Sequence, residues 1–321
     1  MQVSTRPQVG PSRRELRIIG IIVPVLDEEE SIGKFYDALR PVLATLACTA
    51  EIWFVDDGSS DRTRAVIRGL AARDERIHLI GLSRNFGKEA ALSAGIDRVD
   101  ADAVVPMDVD LQDPPRLIID FVEKWREGND VVYGVRSDRR TDTALKRATA
   151  GLFYRIFNGL TRDKIPANTG DFRLIDRRVV EALRRLPERN RFVKGLFAWV
   201  GFRSIGVPDE RAPRSAGNPK LGLRRLWRLA LDGITSFSTL PLRVWTYVGF
   251  VVAALAFLYG AWLILSTLVY GIDAPGYAST IVIVLFLGGI QLLSLGLIGE
   301  YLGRLFIEAK QRPLYLIDEE L

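Results

Sequence analysis

Two long apolar segments near the end of the chain constrain its fold more than any other feature. Residues 244–270 and 279–306 are each longer than the roughly 20 apolar residues that a helix needs to cross a bilayer. The connector, residues 271–278, contains Asp273 and no Lys or Arg, whereas basic residues flank the outer ends: Arg243, Arg304, Lys310 and Arg312. Because cytoplasmic flanks collect Lys and Arg, the pattern predicts a membrane hairpin with both ends in the cytoplasm. A helical hairpin buried in a soluble core is the alternative.

The composition excludes several kinds of site. The chain has 321 residues, 48% of them hydrophobic, which allows about two packed domains. One cysteine, Cys48, and one histidine, His78, exclude an intrachain disulfide and leave no material for a histidine-based triad or a zinc site. The net charge of +5 fits an anionic substrate, a nucleic acid or an anionic membrane face without deciding among them. Residues 1–15 are polar, do not resemble a signal peptide and are predicted to be a disordered tail.

Short apolar runs alternate with helical patterns through the first half of the chain. Each run has the length and β-branched character of a buried strand. The predicted strands are residues 17–25, 51–55, 77–82, 103–107 and 130–135, with 203–207 as an additional edge strand. Strands that alternate with helices of this length form βαβ units, so the sequence predicts an α/β domain with a mostly parallel sheet.

Acidic residues follow three of these predicted strands. Glu28 follows the first, the pair Asp56 and Asp57 ends the second, and the pair Asp108 and Asp110 ends the fourth. Because ligands bind beyond the carboxyl ends of the strands in such sheets, these carboxylates are expected to meet at one site. They would repel one another without a cation, and Mg²⁺ takes one or two carboxylates together with substrate phosphates. The pattern favours a metal site that holds a diphosphate; ordinary turns rich in Asp and Pro are the alternative.

Two other nucleotide-binding motifs do not fit the sequence. The glycine-rich fingerprint of dehydrogenases is absent after the first strand, where Leu26, Asp27 and Glu28 stand. Residues 81–88 resemble a P-loop in composition, but the spacing is one residue too long, and Glu89 stands where Ser or Thr should bind Mg²⁺. A dehydrogenase and a P-loop nucleotidase are therefore poor fits.

Basic residues accumulate between the α/β region and the apolar hairpin. Residues 224–241 are predicted to form an amphipathic helix in the membrane interface, with a helix packed on its own globular domain as the alternative. Other Arg and Lys side chains could bind a phosphate: Arg136, Lys146, Arg147, Arg211, Arg214 and Lys220. A metal and nucleotide site beside a membrane hairpin suggests one soluble substrate and one lipid phosphate. Such an acceptor is already anionic, so catalysis would depend on positioning and electrostatics rather than on a strong base.

Seven segments of the chain together match the pattern of one known family. They are IIVPVLDEEESI, FVDDGSSDRT, LSRNFGKEAALSAGID, VPMDVDLQDPP, TGDFRLIDRRVV, SFSTLPLR and IGEYLGRLFIEAKQRPLY. With these segments the chain resembles the family 2 glycosyltransferases that load sugars onto polyprenyl phosphates, which are the bactoprenol (undecaprenyl-phosphate) glucosyltransferases, with the dolichyl-phosphate mannose synthases as cousins. The resemblance implies a GT-A domain at residues 16–223. The interfacial helix, the two transmembrane helices and a cytoplasmic tail within residues 242–321 would follow.

The resemblance also implies roles for individual residues. The nucleotide-binding set comprises Pro24, Glu28, Asp56, Asp57, Arg84, Lys88 and Asp108, with Arg84 and Lys88 near the pyrophosphate. Asp108, Asp110 and Gln112 resemble the ligands of Mg²⁺ or Mn²⁺ and of the diphosphate. The expected catalytic residues are Asp110, Asp171 and Arg136, with Asp171 orienting the acceptor. Arg136, with Lys146 or Arg147, resembles the clamp on the acceptor phosphate.

The implied reaction is the inverting transfer of a sugar, with glucose favoured, from a UDP-sugar to polyprenyl phosphate. It would take place at the bacterial inner membrane, in a homotetramer that has no nucleic-acid partner. The chain departs from the family pattern at Leu26 and Asp27, where Tyr and Asn are usual, and at residues 218–220, which lack the usual Ser. Transfer of mannose from GDP-mannose, a processive polysaccharide synthase and a non-catalytic membrane scaffold remain as alternatives. The Gln-x-x-Arg-Trp motif of processive synthases is absent.

Overall fold

The computed structural model of the protein describes residues 14–136, 169–186, 188, 193–209, 240–270 and 276–321. The chain divides into two compact units. One unit comprises Met1–Leu226 together with Pro313–Leu321, and the other comprises Trp227–Arg312. The described strands all belong to the first unit, and the two long apolar segments belong to the second.

The first unit is built on a sheet of eight strands, which follow the order β7-β5-β6-β4-β1-β2-β3-β8. The strands are β1 (Ile18–Val25), β2 (Thr49–Asp56), β3 (Ile77–Leu82), β4 (Ala103–Pro106), β5 (Val131–Arg136), β6 (Thr169–Asp176), β7 (Ser204–Asp209) and β8 (Ile317–Glu320). Parallel pairing joins β1 to β2 and β4, β2 to β3, and β5 to β7. Only β6 and β8 pair in the antiparallel sense within this sheet, so the predicted mostly parallel α/β sheet is confirmed.

Six helices accompany the described part of this sheet. They are α1 (Ser31–Thr45), α2 (Thr63–Ala71), α3 (Lys88–Arg98), α4 (Leu117–Arg126), α5 (Arg177–Arg184) and α6 (Val193–Trp199). Helix α1 has the apolar face that is typical of a helix packed on a sheet. Ile32, Phe35 and Leu39 recur at helical spacing along it, and all three are fully buried. Phe35 packs edge-on against Phe54 of β2, with ring centroids 6.1 Å apart. This packing fixes the helix against the strand and so fixes the loops at both of its ends.

Helix α3 lies unusually close to β1. A Cβ atom at Gly95 would lie 2.5 Å from Cγ2 of Ile22, so any larger side chain would force the helix away from the strand. The close approach needs glycine at this point because protein interiors are already densely packed. Lys88, the first residue of α3, is thereby held near the carboxyl end of the sheet.

Strands β6 and β8 differ from the sequence predictions. The sequence predicted no strand at Thr169–Asp176. This segment nevertheless forms β6, which lies in the sheet between β4 and β5. The sequence also predicted no strand after the second apolar segment, but Ile317–Glu320 extends the sheet beside β3. Both strands pair with partners that are distant in the chain, and a local pattern carries little information about such pairing.

Arg14, which the sequence analysis assigned to the predicted tail of residues 1–15, contacts the domain. The Arg14 guanidinium donates to Asp176 at 2.8 Å and to Asp130 at 2.9 Å, and both carboxylates are buried. It also lies 5.6 Å from the ring centroid of Trp125. Arg14 therefore belongs to the domain, because it compensates two buried negative charges.

The second unit contains two long helices, α7 (Leu240–Tyr270) and α8 (Tyr277–Ala309). They have 31 and 33 residues, so α7 is about 46 Å long at about 1.5 Å per residue, which exceeds the roughly 30 Å hydrocarbon core of a bilayer. The segments Val244–Trp262 and Phe286–Ala309 are long and apolar enough to cross a membrane, with mean hydropathies of 1.8 and 1.3. The predicted pair of apolar helices is confirmed. The predicted interfacial helix at residues 224–241 lies outside the described residues except for its last two, which begin α7.

Candidate functional site

The candidate site lies where the parallel strands end. The carboxyl ends of β1, β2, β4 and β5 share one edge of the sheet, since all four strands run in the same direction. Strand β6 is antiparallel to β4 and β5, so it begins at this same edge. The predicted acidic residues after β1, β2 and β4 therefore meet at one edge, as their positions in the sequence indicated.

The turn after β4 presents two carboxylates. Asp108 is partly exposed and Asp110 is exposed. The Asp110 carboxylate accepts hydrogen bonds from the backbone N–H of Gln112 at 3.1 Å and from its side-chain amide at 2.8 Å. Leu111 between them has a φ of 55°, a left-handed conformation that is uncommon outside glycine. This conformation makes the turn tight and holds Asp110 and Gln112 together.

Lys88 connects this acidic turn to helix α3. Its ammonium nitrogen lies 2.6 Å from Asp108 Oδ1 and 2.8 Å from Oδ2. About half of the Lys88 side chain is exposed, so solvent and ligands can reach the ion pair. The two groups were predicted separately, one for the pyrophosphate and one for the metal and diphosphate, and the structure places them in contact.

Asp56, at the end of β2, is fully buried. Its Oδ2 accepts a hydrogen bond from Nε of Arg64 at 2.5 Å, and both oxygens lie 3.2 Å from the backbone N of Ser59. Through these contacts the Asp56 side chain holds the loop that follows β2 in place. The Asp56 carboxylate exposes no surface in this arrangement. The direct contact with a nucleoside that the sequence analysis expected for it therefore stays a prediction.

Asp57 holds the neighbouring loop, which follows β3. Its two carboxylate oxygens accept the backbone N–H groups of Phe86 at 2.7 Å and of Gly87 at 2.8 Å. Burial raises the pKa of Asp57, while these two donors act in the opposite direction. Asp57 thus connects the loops after β2 and β3, and in this arrangement both of its oxygens are occupied by the chain's own amides.

The loop after β1 is tied to the loop after β2. Asp27 accepts the backbone N–H of Ser60 at 2.8 Å, and its own N–H donates to Ser59 Oγ at 2.9 Å. The backbone N–H of Glu28 donates to Thr63 Oγ1 at 2.9 Å. Asp27, with a φ of 53°, is one of the two departures from the family pattern in this loop. Its carboxylate fixes the turn, which leaves the partly exposed Glu28 at the surface of the site.

A narrow cleft lies at this edge. Its lining includes Pro24, Lys88, Asp108, Asp113, Arg173 and Phe197. Arg84 is exposed on the loop after β3, where its guanidinium carbon lies 4.0 Å from the centre of the Phe86 ring. Pro24, Lys88 and Asp108 are thus brought to one cleft, and Arg84 is presented on an adjacent loop.

The predicted acceptor residues are only partly within the described chain. Arg136 is the last residue of β5, and Asp171 lies near the start of β6, so the backbone puts both at the edge that carries Asp108. The other candidates lie outside the described residues: Lys146, Arg147, Arg211, Arg214 and Lys220. The segments that contain them follow β5 and β7, whose carboxyl ends are at this same edge.

Three charged residues near the site were not among the predicted site residues; the fold buries two of them, Arg173 and Asp113, and partly buries the third, Arg64. Arg173 is 5% exposed and its guanidinium lies 4.1 Å from the centre of the Phe197 ring. Asp113 is 3% exposed, and Arg64 is paired with Asp56. Arg173 and Asp113 lie within segments quoted for the resemblance, and Arg64 directly follows one, so proximity to a motif was the available signal.

The donor set at the acidic turn fits a hard divalent cation. Within the described ranges, no three His, Cys, Asp or Glu side chains cluster closely enough to hold a metal by themselves. Mg²⁺, however, commonly takes only one or two protein carboxylates and completes its shell with water and substrate phosphates. Asp108, Asp110 and the amide oxygen of Gln112 provide oxygen ligands of this kind.

Comparison with known proteins assigns both parts of the chain. Residues 20–184 match the family model "Glycosyl transferase family 2", and residues 240–305 match "GtrB C-terminal hairpin". An uncharacterized glycosyltransferase of Synechocystis is 52% identical over 94% of this chain and 95% of its own length. A bactoprenol glucosyl transferase of Shigella phage SfV is 51% identical over 94% of this chain and 98% of its own length.

A solved structure is similar at a much greater distance. Glucosyl-3-phosphoglycerate synthase from Mycobacterium tuberculosis, in complex with Mn²⁺ and UDP, is 19% identical, with a TM-score of 0.47 over 73% of this chain and 84% of that one. The relatives of about 50% identity are the informative ones, since they span nearly the whole chain. The mostly parallel sheet and the family match confirm the GT-A type of domain. The chain belongs to glycosyl transferase family 2 and is a glycosyltransferase.

Proposed function

We propose that the protein transfers glucose from UDP-glucose to a polyprenyl phosphate, with inversion at the anomeric carbon and with the help of a divalent metal. The observation that carries this proposal is the acidic turn of Asp108 and Asp110, paired with Lys88 at the edge of the sheet. In the same chain, two helices are apolar enough to cross a membrane. The bactoprenol glucosyl transferase that is 51% identical supports the choice of lipid and of sugar.

The donor would bind at the loops that follow β1, β2 and β3. Glu28 and Arg84 have surface available to a ligand, whereas Asp56 and Asp57 would act by holding the loops in place. Arg84 and Lys88 would neutralise the diphosphate, since guanidinium and ammonium groups bind phosphate oxygens strongly. The ion pair between Lys88 and Asp108 holds these two side chains together before any ligand binds.

Asp108, Asp110 and Gln112 would hold Mg²⁺ or Mn²⁺ in this proposal. Bound there, the cation would neutralise the negative charge that develops on the departing nucleoside diphosphate. Lys88 adds a positive charge on the same side because it lies 2.6 Å from Asp108. The protein's part is to hold these charges in place before the reaction, which is where electrostatic catalysis gains its effect.

The acceptor phosphate would approach from the edge that carries Arg136 and Asp171. A phosphate oxygen would form a bond to the anomeric carbon of glucose as the bond from that carbon to the UDP oxygen breaks. The electron pair of the broken bond leaves with UDP, and the product is a β-linked glucosyl phosphate lipid. A phosphate monoester, with a second pKa near 6, is largely ionised at neutral pH, so no side chain must remove a proton. Arg136 and the basic residues outside the described chain would position the phosphate.

The donor and the reaction can be tested in one experiment. The full chain in membranes is supplied with polyprenyl phosphate and Mg²⁺ or Mn²⁺. Labelled UDP-glucose, UDP-GlcNAc, UDP-galactose and GDP-mannose are then tested one at a time. We expect labelled lipid from UDP-glucose and at most traces from the other donors. Labelled lipid from GDP-mannose alone would overturn the choice of donor, and a labelled polysaccharide would indicate a processive synthase.

A further inference from the structure

Arg64, on helix α2, is hydrogen-bonded to three separate strands of the sheet. Its Nε donates to Asp56 of β2 at 2.5 Å, and its Nη2 donates to the carbonyl oxygen of Leu82 of β3 at 2.5 Å. Its Nη1 donates to the carboxylate of Asp318 of β8 at 3.0 Å. The guanidinium thus uses its fixed, forked geometry to join residues that are far apart in the chain.

Two of these contacts reach the loops of the candidate donor site. Asp56 is fully buried and holds the loop after β2 through the backbone of Ser59. Leu82 is the last residue of β3, so its carbonyl fixes the point at which the loop carrying Arg84 begins. A buried carboxylate depends strongly on its cationic partner, because an unpaired charge in the interior is costly. The orientation of Arg64 therefore determines how both loops are held.

The third contact of Arg64 is with Asp318 of β8, and backbone hydrogen bonds fix the register of this strand against β3. Backbone hydrogen bonds join Leu79 and Leu321 in both directions, at 2.9 and 3.0 Å, and Ser83 donates to the carbonyl of Leu316 at 2.9 Å. Beside Asp318, Glu319 accepts two hydrogen bonds from Arg68, at 2.5 and 2.6 Å. Because backbone hydrogen bonds hold the strand, Asp318 meets Arg64 in a set geometry, although 58% of the Asp318 side chain is exposed.

We infer that Asp318 is a positioning residue of the donor site. By orienting Arg64 from the side opposite Asp56, it keeps the loops after β2 and β3 in the arrangement that binds the nucleotide. Its effect on nucleotide affinity rests on the proposed function, whereas its effect on the two loops does not. Asp318, which follows the apolar helix α8 in the chain, is thus part of the catalytic domain's binding machinery.

The test compares two adjacent substitutions in the full chain, Asp318→Asn and Glu319→Gln. Each removes one negative charge from β8, but Glu319 contacts Arg68 instead of Arg64. For Asp318→Asn we expect the Kd for UDP with Mn²⁺ and the KM for the donor to rise about threefold to tenfold, the size expected for one lost hydrogen bond that solvent partly screens. The KM for polyprenyl phosphate should change less than about twofold, and Asp318→Glu should recover part of the affinity. Glu319→Gln should leave all three constants near their wild-type values.

Hydrogen exchange of the ligand-free protein separates this inference from the proposed function. Amides of residues 57–62 and 83–87 should exchange faster in Asp318→Asn than in the wild type or in Glu319→Gln. Equal exchange in the two variants would overturn the inference, whatever the enzyme transfers. Faster exchange in a protein that transfers no sugar to the lipid would support it and refute the proposed function. If the KM values for donor and acceptor rose equally, and to the same extent in Asp318→Asn and Glu319→Gln, β8 would have only a general structural role and the inference would be wrong.

Discussion

Replacing Asp110 with Asn should reduce sugar transfer by about 100-fold or more, the usual effect of removing one preorganised charge from a catalytic site. Asn has nearly the same shape as Asp, and residue 110 is exposed, so the fold should be unaffected. The lost charge would weaken the hold on the cation and hence on the diphosphate. The measurement is the initial rate of transfer from UDP-glucose over a range of Mn²⁺ concentrations. The residual activity should require a higher metal concentration.

Asp120→Asn is the matched control for this prediction. Asp120 is also an exposed aspartate close in the chain, but it lies in the first turn of α4 rather than in the acidic turn. We expect its transfer rate and its metal dependence to equal those of the wild type. An Asp110→Asn protein that transfers glucose at the wild-type rate would exclude the proposed metal role of the turn.

Replacing Gly58 with Ala should disrupt the donor site and destabilise the domain. Gly58 has a φ of 77°, and an added Cβ would lie 2.5 Å from the carbonyl carbon of Arg84 and 2.6 Å from the backbone nitrogen of Asn85. Both are backbone atoms and cannot move aside as a flexible side chain would. Strain and overpacking together should lower the free energy of unfolding by about 2–4 kcal/mol. Nucleotide binding should be largely lost because the loops after β2 and β3 would separate.

Gly33→Ala provides the control for this substitution. Gly33 lies within α1, and an added Cβ at that position meets no atom within 4 Å. Since alanine favours a helix more than glycine does, the variant should be as stable as the wild type or more stable by about 0.5–1 kcal/mol. Thermal unfolding and UDP binding are measured for both proteins. A Gly58→Ala variant that matches Gly33→Ala in both would show that the two loops do not need their close approach.

The parallel part of the sheet could be predicted from the sequence, and the two antiparallel strands, β6 and β8, could not. The strands β1 to β5 read as short apolar runs, because strands buried on both faces in a parallel sheet carry few polar residues. Strand β8 consists of Ile317, Asp318, Glu319 and Glu320, a composition typical of an exposed tail. It becomes a strand only because β3 offers an open edge and Arg64 and Arg68 offer charges. A local pattern contains none of this long-range information.

The edge of the sheet that carries the candidate site could be predicted from the sequence, whereas the contacts of its individual residues could not. Acidic residues at strand ends correctly indicated the edge at which Asp108, Lys88 and Pro24 meet. The same pattern could not distinguish carboxylates that stay exposed at this edge from those that hold a loop. Asp57 sits beside Asp56 in the chain, yet it binds the amides of Phe86 and Gly87 about thirty residues later. That distinction depends on how two loops pack, which the spacing of residues does not specify.

The measurement that tests the central proposal most directly uses the purified full chain in vesicles that contain polyprenyl phosphate. UDP-glucose labelled in the sugar is added with Mg²⁺, and the UDP released, the lipid formed and the anomeric configuration of the product are determined together. We expect one UDP for each glucose on the lipid and a β-linked glucosyl phosphate, as a single displacement requires. An α-linked product would contradict the inverting mechanism. Release of UDP and free glucose without labelled lipid would contradict the assignment of the acceptor.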